Sequence, residues 1–100
     1  MDTLKVMIHA PTPEALQRGQ ANLRNLLKLE PDARVELVVN GPAAAIAVGI
    51  TDNEILSRLV LCRNSLDKQG LSAQDNARVV PAAIQHLVHQ QQQGWSYVRA

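Results

Sequence analysis

The sequence predicts an α/β domain in which a mostly parallel five-stranded sheet lies between layers of helix. Three observations carry this. Short apolar, β-branched runs alternate with stretches of helical period along the whole chain. One run, Val35-Glu36-Leu37-Val38-Val39, is nearly continuously apolar, as a strand covered on both faces must be. Proline and glycine punctuate the run ends, at Pro11, Pro31, Gly41-Pro42, Gly70, Pro81 and Gly94.

Leu4 to His9 reads as the first strand, with Val6 and Ile8 at its centre and Pro11 ending it. Thr12-Pro13-Glu14 then starts a helix: Thr12 caps it, Pro13 takes the first helical position, and Glu14 meets the positive end of the dipole. Leu16, Leu23, Leu26 and Leu27 recur on one face, and Gly19 falls on that same face. A glycine there costs helix stability, so close approach to the sheet is expected. Glu30-Pro31 stops the helix.

After the second strand, Asn40-Gly41-Pro42 forms a sharp turn, and Pro42 opens a short Ala-rich helix reaching Val48. Thr51-Asp52-Asn53-Glu54 has the form of a capping box. Residues 55–62 fit either one long helix or a turn followed by a buried strand, Leu59-Val60-Leu61-Cys62. The strand is preferred because it keeps the β/α alternation. Arg63 to Gln69 forms a helix closed by Gly70, and Ala77 to Val80 a fourth strand. Pro81 opens a helix with Ile84, Leu87 and Val88 as its apolar face, ended by Gly94. Trp95 to Val98 alternates as a fifth strand at a sheet edge. Right-handed crossovers between such strands produce an open, flavodoxin-like sheet of three layers.

Composition narrows the function. The 100 residues suit one domain spanning 1–100, and the formal net charge of +1 comes from interspersed charges. Trp95 and Tyr97 are the only aromatics and no cationic stripe exists, which argues against nucleic acid. No run reaches membrane-spanning length, and the opening Met1-Asp2-Thr3-Leu4-Lys5 does not resemble a signal peptide. Cys62 is the only cysteine, so no internal disulfide forms and a cysteine-rich zinc site is excluded. A lone thiol suits a reducing, cytoplasmic setting. There is no phosphate-binding glycine motif and no nucleophile elbow, so no cofactor is expected.

In an open parallel sheet the functional crevice lies beyond the carboxyl ends of the strands. Those ends gather His9, Asn40 and Cys62. Cys62 has two readings. One is an inert small hydrophobe in the core. The other is a thiolate favoured by the Asn64 and Ser65 N–H groups, the helix dipole and the Arg63 charge. His9 is a base or donor near the thiol, or a histidine hydrogen-bonded to a loop. Asn40 and Gly41 offer the crevice their side-chain and backbone amides. His86 and His89, three apart with Gln90 and Gln93 nearby, read as a solvated face rather than a metal pair. No metal site is expected.

The order Val38-Val39-Asn40-Gly41-Pro42-Ala43, Leu59-Val60-Leu61-Cys62-Arg63-Asn64-Ser65-Leu66, Gly70-Leu71, Val79-Val80-Pro81-Ala82-Ala83 and Gln92-Gln93-Gly94-Trp95-Ser96-Tyr97 resembles the DsrE/DsrF-like family across nearly the whole chain. The resemblance implies a flavodoxin-like fold, homo- or hetero-oligomers and sulfur relay. In that pattern the acceptor cysteine ends a strand and precedes a helix closed by glycine, as Cys62 and Gly70 do here. It implies a persulfide on Cys62, with sulfur-donor and sulfur-acceptor proteins as partners. Arg63-Asn64 stands where relay members often carry small residues. Abundant Leu, Val and Ala and the aromatic edge strand also point to a homo-oligomer. A non-catalytic oligomeric or regulatory domain and a small-ligand binder using His9 and Asn40 are the alternative classes.

Overall fold

In the computed structural model, which describes residues 3–100, the chain alternates strand and helix as expected. Met1 and Asp2, on which the reading against a signal peptide partly rests, lie outside the described residues. The strands are β1 (Lys5–Ala10), β2 (Arg34–Val39), β3 (Leu59–Cys62), β4 (Arg78–Val80) and β5 (Ser96–Arg99). The helices are α1 (Pro13–Leu29), α2 (Ala44–Ala47), α3 (Asn53–Leu56), α4 (Arg63–Gln69) and α5 (Ala83–Gln92), with a 3-10 turn at Gly41–Ala43.

All strand pairs are parallel, in the order β4-β3-β2-β1-β5. From β1 to β4 the chain steps one way across the sheet, so right-handed crossovers put α1 to α4 on one face. The return to β5 reverses direction and puts α5 on the other. The two cores sort accordingly. Val6, Ile8, Val35, Leu37, Leu59 and Leu61 pack under Leu16, Leu23, Ile55 and Leu66. Met7, Val38, Val60, Cys62 and Val80 pack under Ala83 and Leu87, with Trp95. The result is the three-layer, flavodoxin-like α/β sandwich that the pattern predicts.

Local signals explain most boundaries. Thr12 caps α1 by accepting the Ala15 N–H at 3.1 Å. Gly70 ends α4 in the left-handed region, at φ 65°. Residues 59–62 are strand, which settles the ambiguity in favour of alternation. Gly19 is buried against the sheet: a Cβ there would stand 3.0 Å from Leu37 Cδ1 and 3.3 Å from Ile8 Cγ2.

Four readings need correction. The cap of α3 is Asp52, whose carboxylate accepts the Glu54 N–H at 3.3 Å, not Thr51. Trp95 precedes β5 and is buried in the second core rather than standing at the edge. The apolar face of α5 is Ala83 and Leu87, while Ile84 and Val88 are exposed. His86 is buried, not solvated: Nε2 lies 2.7 Å from Glu36 Oε1. The last two follow from one fact. Glu36 points from β2 into the layer beneath α5, and the helix turns His86 and Gln90 inward to meet it. Arg78 closes the cluster at 2.9 Å. A buried carboxylate needs such partners.

Candidate functional site

Cys62 ends β3 and is the N-cap of α4, so its side chain stands where the strand stops and the helix dipole begins. Strand alternation turns it toward α5, and the Ala83 N–H at the start of α5 donates to Sγ at 3.3 Å. Two helix starts therefore meet on one sulfur. The thiol is 5% exposed yet lines an open cavity of about 700 Å³ with Asn40, Asn64, Ser65, Ala82 and Ile84.

Burial pushes the Cys62 thiol up, but the donors around it win, and its pKa falls below the ordinary value. Those donors are the N–H groups of Ser65 and Ala83, the Ser65 hydroxyl and the Asn64 N–H. The Ala83 N–H donates directly to the sulfur at 3.3 Å, and the others favour its charged form. Each favours the thiolate, the nucleophilic form.

From the sequence Ser65 offers only its backbone N–H; the structure adds its side chain. Its Oγ accepts the Gly41 N–H at 2.9 Å, which leaves the hydroxyl proton to donate. The available signal was spacing: the third residue of a helix faces back toward its cap. Gly41 does not line the cavity; it fixes Ser65, and its carbonyl accepts from Gln69 Nε2 at 2.9 Å. Gly41 needs φ +59°, and a Cβ there would stand 3.0 Å from the Pro11 carbonyl oxygen.

His9 is not in the cavity wall either, but it reaches Asn40, which is. His9 Nε2 lies 2.9 Å from Asn40 Oδ1, and Nδ1 lies 2.7 Å from the Tyr97 hydroxyl. A carbonyl oxygen only accepts, so Nε2 carries a proton. In the neutral ring Nδ1 then accepts from Tyr97. Asn40 keeps its Nδ2 donors for the cavity.

Arg63 departs from expectation. It does not line the cavity, it is exposed, and its guanidinium lies 3.7 Å from Asp67. Its charge is not among the influences on the sulfur, so the local backbone and Ser65 rather than this side chain favour the thiolate. Asn64 stands where expected, in the wall. Among the described residues no three His, Cys, Asp or Glu side chains converge to hold a metal ion, and no helix is long and apolar enough to cross a membrane.

No model of a known family matches the chain, and no curated protein matches it. Among solved structures it is similar to a protein of unknown function from Methanobacterium thermoautotrophicum. The two are 20% identical, with a TM-score of 0.83 over 97% of this chain and 99% of that one. That likeness establishes the fold class: an open α/β sandwich.

Proposed function

We propose that the protein is a sulfur carrier that accepts sulfane sulfur as a persulfide on Cys62 and hands it to a partner thiol. The observation that carries this is the convergence of α4 and α5 N–H groups on one thiol in an open cavity. The likeness to the DsrE/DsrF-like pattern around Cys62 and Gly70 supports the same reading.

The chemistry balances without a cofactor. The Cys62 thiolate attacks the outer sulfur of a donor persulfide; an Sγ–S bond forms, the donor S–S bond breaks, and the donor leaves as a thiolate. The carried sulfur takes the cavity beside Asn64 and Ser65. An acceptor thiolate then attacks it, and Cys62 departs as the thiolate its donors favour. A reducing, cytoplasmic setting and a homo-oligomer belong to this proposal. The support for assembly is that β5 is an edge strand with Tyr97 and Val98 exposed, beside an α5 that exposes Ile84 and Val88.

Mass spectrometry tests it. After incubation with polysulfide or a sulfurtransferase, the folded protein gains the mass of one sulfur under non-reducing conditions. The gain disappears with a reductant and in Cys62→Ser. An unchanged mass in folded protein overturns the proposal. The Tyr97–His9–Asn40 chain, which reaches the cavity wall at Asn40, then favours the second reading, a small-ligand binder.

A further inference from the structure

At the opposite edge of the sheet, three neighbouring strands each bring an arginine to the face that carries α5. Arg34 opens β2, Arg58 immediately precedes β3, and Arg78 opens β4. Parallel strands begin at the same edge, and alternation turns all three residues to the face that buries Val38, Val60 and Val80. With Glu36, Ser57 and Trp95 they line a cavity of about 250 Å³, separate from the one at Cys62.

The charges in this cavity do not cancel. Among the described residues Glu36 is the one acid in the wall, and Arg78, His86 and Gln90 already hold its two oxygens. Among the described residues neither Arg34 nor Arg58 pairs with a carboxylate. Arg34 lies over Trp95, 5.2 Å from the ring centroid, so stacking holds its guanidinium at the wall. Arg58 is only partly exposed, and its Nε is buried without a hydrogen-bond partner. Such a donor costs free energy, and a held but uncompensated guanidinium is preorganised for an anion. The volume leaves room for a tetrahedral ion or a small ester.

We propose that this cavity binds a small tetrahedral oxyanion, a phosphate or sulfate group either free or carried on a small molecule, held by Arg34 and Arg58 with Arg78 at its rim. The site is independent of the sulfur chemistry.

Nuclear magnetic resonance on the full chain tests it, following arginine Nε–H and the Trp95 indole. Inorganic phosphate, sulfate and glycerol phosphate are titrated against chloride at matched ionic strength. The expected result is saturable shifts of Arg34, Arg58 and Trp95 with the oxyanions and none with chloride. Equal binding of phosphate and glycerol phosphate assigns the free ion; preference for the ester assigns a phosphorylated metabolite. Arg58→Gln should weaken binding about tenfold, as loss of a charge-assisted hydrogen bond implies. Arg34→Gln, at an exposed position, should do likewise if the first variant fails to fold. Cys62→Ser should leave binding unchanged. Non-saturating shifts shared with chloride, or shifts undiminished in both arginine variants, overturn the proposal.

Discussion

The Ala83 N–H donates to Cys62 Sγ at 3.3 Å, joining the start of α5 to the end of β3 across 21 positions of sequence. This bond puts the thiol under two helix starts instead of one. Iodoacetamide should therefore alkylate native Cys62 with a pH profile displaced to lower pH than that of the unfolded chain. A coincident profile in folded and denaturant-unfolded protein would show that the donors do not stabilise the thiolate.

The same depression couples to stability. Cys62 ionises at lower pH in the fold than in the unfolded chain. Well below the folded pKa the thiol is neutral in both states and contributes nothing. The contribution grows as pH rises through the folded pKa and is complete above the unfolded one. The difference in urea midpoint between the native chain and Cys62→Ser should widen with pH across that window. A difference independent of pH contradicts the assignment.

Gly19 faces Leu37 and Ile8 with no room for a side chain. Gly19→Leu should destabilise by about 1–3 kcal/mol in denaturant melts, since overpacking outweighs the helix propensity gained. A neutral or stabilising result would mean that α1 does not approach the sheet as described.

His86 and Glu36 form a buried pair at 2.7 Å. His86→Ala removes one of the partners that compensate the carboxylate and should cost about 1–3 kcal/mol, whereas His89→Ala, outside the cluster, should be nearly neutral. Equal effects of the two would place His86 on the solvent face after all.

Assembly has its own test. Trp95 cannot report it, because Trp95→Ala empties a core position and should cost about 3–5 kcal/mol in the fold itself. Val98, exposed on the edge strand, is the better probe. The native chain should sediment above monomer mass, and Val98→Lys should shift it toward monomer. A clean monomer at micromolar concentration rejects the homo-oligomer.

Much of the fold was legible in local chemistry. The Thr12 cap, the left-handed Gly70, the doubly buried run of β2 and the breaks at Pro31 and Pro81 each act within a few residues of themselves. Gly19 was legible because helical period alone shows which face it shares. The errors lie where two distant segments compete for one surface. Ile84 and Val88 read as an inward face by hydropathy, yet α5 rotates so that His86 and Gln90 meet Glu36, since an unsatisfied carboxylate costs more than two exposed aliphatic side chains.

The candidate site divides in the same way. By itself the sequence determined that a helix closed by Gly70 follows Cys62. A strand ending at Cys62, with Asn40 and Asn64 at the same sheet edge, rested there only on keeping the β/α alternation, and the structure settled it. Only the tertiary structure decided which face of the sheet the sulfur takes, that Ala83 completes its shell, that Ser65 is held by Gly41, and that Arg63 stands aside. It also drew Arg34 and Arg58 around one cavity. The physical reason is that such contacts join segments far apart in sequence, and their geometry is set by how layers pack rather than by any neighbour along the chain.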